Sequence, residues 1–194
     1  MKLDPLSEAA QALAAGEVVC IPTESTYGLA ADIRSAPGLA RLDAIKQGRP
    51  ADAPYPLIAP DLEAARALAR VWPAAAEALA RRHWPGPLTL VVPARADLPA
   101  AVVGPGGGVG VRLSSHPLAA ALARQVGAPI TATSANRASF PPATRVDEAR
   151  AVFGAELARY LDGGTCDGTP STVVAVDEAG AVRVIRRGAI DPSP

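Results

Sequence analysis

The chain has 194 residues, of which 49% are hydrophobic and 20% charged, an ordinary globular composition that can bury a sizeable core in one domain. Nineteen Lys and Arg balance nineteen Asp and Glu, which argues against a wholesale polyanion binder and leaves room for a local basic face. Aromatic residues, at 4%, are too few for a platform that stacks several bases, and two distant cysteines with two histidines leave little material for a zinc site.

In chain order, residues 7–15 read as a first helix with Ser7 as its cap and Gly16 as its left-handed stop. Val18-Val19-Cys20-Ile21 is a buried strand closed by Pro22, and residues 22–31 read as a hydroxyl-rich loop. A helix over 37–46 starts at Pro37, and Leu57-Ile58-Ala59 is a short strand between prolines. Asp61 caps a helix over 62–70, and Pro73 opens another that runs to His83. Strands follow at 88–92, 109–113 and 129–133, with a helix at 117–125 stopped by Gly127. A short helix over 146–153, a strand at 160–162 and a hairpin pairing 172–176 with 182–185 complete the chain. Strands alternating with helices and ending in a hairpin predict an α/β domain, with a mixed parallel and antiparallel sheet flanked by helices. No apolar run approaches the roughly 18 residues of a membrane span. Met1 to Pro5 lacks a basic stretch leading into an apolar run, so a cytoplasmic protein with reduced thiols is expected.

The glycine-rich stretch 104–108 lacks the Gly-Lys-Ser/Thr ending of a phosphate loop and precedes a strand, the wrong context for one. Four other segments lie at strand or helix ends, where open α/β sheets bind ligands. Thr23, Ser25, Thr26 and Tyr27 offer hydroxyls for a small polar ligand. Lys46 and Arg49 suit a phosphate, Lys as a point charge and Arg as a bidentate donor, and they equally suit a helix C-terminus. Thr133-Ser134-Ala135-Asn136 offers hydroxyls and an amide to phosphate or ribose oxygens, or forms a plain turn. The stretch 162–172 combines glycines with Ser171 and Thr172. Arg112 stands inside a strand, where its charge needs a partner or solvent, and Arg186 follows the last apolar residue of the final strand.

Together these segments resemble the YrdC-like family of threonylcarbamoyl-AMP synthases. The likeness runs from about Ala10 to Ile190, in the family's order. It is carried by 22–29 (PTESTYGL), 46–50 (KQGRP), 84–90 (WPGPLTL), 111–113 with His116-Pro117, 133–136 (TSAN), 162–164, 171–174 and 185–188. The resemblance implies a twisted mixed sheet with a concave, positively charged cavity, in a single domain over 1–194 of the family's short form. It implies synthesis of threonylcarbamoyl-adenylate and pyrophosphate from L-threonine, bicarbonate or CO2, and ATP accompanied by Mg2+, with no metal site in the protein. A downstream threonylcarbamoyl transferase complex would then modify tRNA; direct tRNA contact is a weaker expectation. By the same likeness Thr23, Ser25, Tyr27, Arg112 and Ser171 face threonine. Lys46, Arg49, Thr89, Ser134, Asn136 and Arg186 face ATP, with Lys46 and Arg49 as the catalytic cations.

Three departures stand out. Two residues separate Lys46 from Arg49 where the family has one, Pro60 stands where many members have His, and Ser25-Thr26 replaces the usual Thr-Val. A YrdC-like protein that binds RNA or nucleotide without making an adenylate is the alternative reading. A carbamoyl-transfer module of hydrogenase maturation fits less well, since the chain has neither acylphosphatase-like nor zinc-finger segments.

Overall fold

The computed structural model describes residues 3–50 and 52–192; Met1 and Lys2, part of the stretch read above for a leader, lie outside it. Six helices and ten strands alternate along the described residues. The first helix, α1 (Pro5–Ala14), starts one turn earlier than its sequence pattern indicates. Asp4, not Ser7, is the cap: its Oδ1 accepts from the backbone N–H groups of Leu6 and Ser7 at 3.0 and 3.1 Å, and Ser7 Oγ donates to its Oδ2. Pro5, whose fixed φ suits the first helical position, makes the earlier start possible.

The expected single sheet is two. A four-stranded sheet runs β7-β2-β1-β8, from β1 (Val19–Pro22), β2 (Tyr27–Ala30), β7 (Thr133–Ser134) and β8 (Arg159–Tyr160). The six-stranded sheet runs β10-β9-β4-β5-β3-β6. Its strands are β3 (Leu57–Ile58), β4 (Leu88–Pro93), β5 (Gly108–Arg112), β6 (Ile130–Thr131), β9 (Thr172–Val176) and β10 (Val182–Arg186). Both mix parallel and antiparallel pairs. The hydroxyl-rich stretch therefore contains a strand: β2 turns back antiparallel on β1, with Pro22 opposite Tyr27. The strand expected over 129–133 is divided, because the chain changes sheets at Ala132, whose N–H donates to Pro56 O. Thr131 stitches the join, accepting from Ala31 N–H and donating to Leu29 O.

Helices α2 (Ala36–Ile45), α3 (Leu62–Arg66), α4 (Ala74–His83), α5 (Pro117–Val126) and α6 (Val146–Phe153) flank the sheets. Helix α3 stops short of residue 70, since Arg70 N–H bonds to Pro93 O and joins the edge of β4 instead. A large core unites Cys20, Leu29, Leu57, Leu90, Val111 and Val174 with Leu42 and Phe153 from the helices. A smaller one lies where Leu13 of α1 and Leu122 of α5 cover Val19, Ile21 and Ile58. Gly127 ends α5 at φ 67°, as its position in the sequence predicts. A Cβ there would meet no atom within 4 Å, so only the backbone conformation opposes a side chain. Gly127→Ala is expected to cost about 1 kcal/mol, read by urea denaturation with an unchanged m value.

Candidate functional site

A cavity of about 1450 Å³ opens over the six-stranded sheet and reaches the 23–28 turn. Its floor follows from strand alternation. In β5, Val109 and Val111 point into the core while Gly108, Gly110 and Arg112 line the cavity. In β4, Leu90 and Val92 are core while Thr89 and Val91 line the cavity. Two rungs cross this floor: Gly110, Val91, Ala175 and Arg183 in one, Thr89, Val173 and Arg186 in the other. The glycines keep the floor low, for a Cβ on Gly108 would come within 2.8 Å of Val91 Cγ1. A bulge in β10 between Val184 and Arg186 places Arg186 opposite Val173. A regular ladder would put Ile185 there and turn Arg186 to the other face.

The candidate threonine residues converge on one end. Thr23, Ser25, Tyr27, Arg112 and Ser171 all line the cavity. Ser171 Oγ lies 3.1 Å from Thr89 Oγ1, and Arg186 Nη2 donates to Ser171 O at 2.8 Å. Thr23 Oγ1 donates to Thr26 O at 2.6 Å, closing the turn between β1 and β2. Tyr27 departs from its expected role: its side chain is fully buried, and its hydroxyl donates to Gly164 O and accepts from Gly163 N–H. Burial pushes that phenol up to about 12. Tyr27 is a brace under the 162–164 turn rather than a free ligand.

Arg112 is paired, as a charge inside a strand requires. Its Nη1 donates to Glu24 Oε2 at 2.7 Å, and both side chains are nearly buried. Burial lowers the Arg112 pKa, with Glu24 opposing the shift. Burial also raises Glu24, yet Arg112 and bonds from Ser114 and Ser115 outweigh it and hold the carboxyl below its usual range. The guanidinium offers five donors, so the pair leaves others for a ligand.

The candidate phosphate residues are arranged differently from expectation. Lys46 caps the end of α2 and is buried, and neither it, Arg49 nor Asn136 lines the cavity. The Lys46 ammonium donates to Ser134 O, Asn136 O and Asn136 Oδ1 at 2.8–2.9 Å, which uses all three of its donors. Ser134 Oγ, on the cavity wall, donates to Asn136 Oδ1, and Asn136 Nδ2 donates to Phe140 O. Burial, with repulsion from Arg49 and Arg137, lowers Lys46 to about 8. Arg49 stacks its guanidinium on the Tyr55 ring at 3.7 Å, and Tyr55 lines the cavity. Gly48 at φ 83° turns the chain between the two cations.

Residue types alone gave no signal for Arg183 or Glu24, whose roles depend on strand register and on a partner 88 positions away. Gly108 and Gly110 were legible in principle, as the small alternate positions of a Gly-Val-Gly-Val-Arg strand. Arg70, Arg112, Arg183 and Arg186 line the cavity against Asp177 and Glu178, and Glu178 pairs with Arg70. Among the described residues no cluster of three His, Cys, Asp or Glu is placed to hold a metal ion, and no helix is long and apolar enough to cross a membrane.

The model of the Sua5/YciO/YrdC family, described as telomere recombination, matches residues 11–188. The chain belongs to this family. A relative from Bacillus subtilis, named threonylcarbamoyl-AMP synthase, is 37% identical over 175 residues, 89% of this chain and 50% of its own length. One from Photobacterium profundum with the same name is 33% identical over 190 residues, 96% of this chain and all of its own length. The structure of Pyrococcus abyssi Sua5 complexed with L-threonine superposes with a TM-score of 0.88 at 33% identity, over 97% of this chain and 56% of that one. The chain thus spans about half the length of the Bacillus and Pyrococcus relatives and the full length of the Photobacterium one.

Lys46→Met would leave the Ser134 and Asn136 carbonyls without their lysine donor and Asn136 Oδ1 with Ser134 Oγ alone. We expect a loss of about 2–4 kcal/mol in urea unfolding, larger than for an exposed lysine.

Proposed function

We propose that this domain synthesises threonylcarbamoyl-adenylate from L-threonine, bicarbonate or CO2, and ATP. The observation that carries the reading is the convergence of Thr23, Thr89, Arg112, Ser171 and Arg186 on one cavity, in a family member 37% identical to a threonylcarbamoyl-AMP synthase. The Photobacterium relative, matched over its whole length, supports one domain as sufficient for the chemistry.

Arg112 would receive the threonine carboxylate, with Thr23, Ser25 and Ser171 around the rest of the amino acid. Threonine and CO2 give a carbamate and release a proton; a carbamate oxygen then attacks the α-phosphorus, and the bond to pyrophosphate breaks. Such a step needs closeness, exclusion of water and positive charge near the leaving group more than a strong base. Arg186 and Arg183 reach the floor from the edge strand and would meet the phosphates, while Thr89 would offer a hydroxyl to nucleotide oxygens and Ser134, on exchanging its bond to Asn136, a second. Lys46 would act through the 134–136 turn that it holds, its charge favouring a nearby polyanion; Arg49 and Asn136 would border the same end. The low, apolar rung of Gly110, Val91 and Ala175 suits a flat ligand. Mg2+ would enter with the nucleotide as its counter-ion. The product would pass to a threonylcarbamoyl transferase complex acting on tRNA, and a cytoplasmic location fits that role.

A second reading, a nucleotide- or RNA-binding protein that makes no adenylate, draws on one observation. Lys46, Ser134, Asn136 and Arg112 are all engaged with the protein's own groups. Pyrophosphate release from ATP with bicarbonate and Mg2+ separates the two. Release that depends on L-threonine, and far less on serine, supports synthesis; absence of release from folded protein contradicts it.

Two further outcomes follow from the assignment. Arg186→Ala should raise the KM for ATP about tenfold or more and that for threonine less, since Arg186 also holds Ser171. With Lys46 near 8, its charge is present below that pH and lost above it. ATP affinity should therefore fall as pH rises from 7 to 9.5, read by calorimetry; a flat profile would remove Lys46 from the phosphate end.

A further inference from the structure

Glu24 sits in the hydroxyl-rich turn and has no part in the chemistry above. Its Oε2 accepts from Arg112 Nη1 at 2.7 Å. Its Oε1 accepts from Ser114 Oγ at 2.8 Å, Ser115 N–H at 2.6 Å and Ser115 Oγ at 3.2 Å. Oε1 is thus saturated by the 114–115 turn, and Oε2 is turned to Arg112, so the carboxylate is committed to the protein's own groups. Ser115 lies one residue before His116, the N-cap of α5, whose N-terminal end favours a negative charge. The backbone joins the same arrangement: a Cβ on Gly168 would fall 2.1 Å from Glu24 O, so the 162–171 segment lies directly on this residue. One side chain thus fixes Arg112 and the 114–115 turn, and the segment leading to Ser171 packs closely on its backbone.

An arginine on a cavity wall has many rotamers, and each must be given up when a carboxylate binds. Glu24 removes that freedom beforehand by clamping one edge of the guanidinium. We propose that Glu24 is a positioning residue for the amino-acid substrate: it holds Arg112 with its remaining donors toward the cavity, and so sets the affinity for threonine without touching it. This inference rests on the assignment of Arg112 to the threonine carboxylate. Glu24→Gln tests it, because the amide keeps the shape and an acceptor oxygen while removing the charge that holds Arg112.

Pyrophosphate release should show a threonine KM raised about tenfold or more. The ATP KM should stay within about twofold, with kcat at saturating threonine largely retained. Equal rises in both KM values, a loss of kcat alone, or a lower melting temperature with both KM values unchanged would mean a merely structural role and overturn the proposal. A lowered threonine KM would make Glu24 a competitor for Arg112 and overturn it equally. Wild-type protein is assayed alongside. Should it lack threonine-dependent release, the reading of the site fails and this inference with it; an active wild type with an unaltered variant removes Glu24 alone. If Glu24→Gln does not fold, Ser114→Ala deletes one bond to the carboxylate and keeps the ion pair. Its threonine KM should rise about two- to threefold, and no rise would count against the proposal.

Discussion

Strand β5 has to serve the core and the cavity at once, and the site depends on how it does so. Val109 and Val111 face inward with Leu90 and Val174, while Gly108, Gly110 and Arg112 face the open side. Alternation makes this division strict, since a shift of one residue would turn Arg112 away from Glu24 into the apolar core and both valines to the cavity. The core contacts therefore hold the register that delivers the arginine. The same device recurs in β10, where a bulge rather than simple alternation brings Arg186 to the cavity side. Hydrophobic packing on one face thereby becomes positional control on the other.

The opposite end of the site is organised by a buried cation. Lys46 pulls two carbonyls and an amide of the 134–136 turn together, and α2 is what carries it there. Glu24 plays the matching part at the Arg112 end, with opposite charge. Both are buried ions whose hydrogen bonds are nearly saturated by the protein, so each costs desolvation that the surrounding bonds must offset. Such groups are better suited to holding neighbouring segments in place than to moving protons. A reaction that needs two substrates kept close and dry is compatible with that division of labour.

Local signals in the sequence were enough for the helices and most buried strands. Gly127, Asp61 and Gly154 end or begin helices where their types require it, and the Asp177–Gly180 turn closes the final hairpin. Strand β2 was hidden because Tyr27-Gly28-Leu29-Ala30 has little strand character of its own; it forms by pairing with β1 and β7. The change of sheet at Ala132 was also invisible, since it depends on where Pro56 lies. Within the site, the cavity-lining hydroxyls and Arg112 were legible from residue type and placement. What was not legible is which polar atoms the protein keeps for itself. The Lys46 and Tyr27 side chains satisfy distant backbone groups and Lys46 also takes up the Asn136 amide oxygen, and no local pattern announces a partner about a hundred residues away.

The central claim is that one cavity joins three small molecules across the β5 floor. Mass spectrometry of the reaction with 13C-labelled bicarbonate, L-threonine and ATP tests it most directly. The account predicts an adenylate carrying the threonine and a single labelled carbon, formed along with pyrophosphate. Pyrophosphate accompanied by an unlabelled threonyl-adenylate, or AMP formed without threonine, would contradict it.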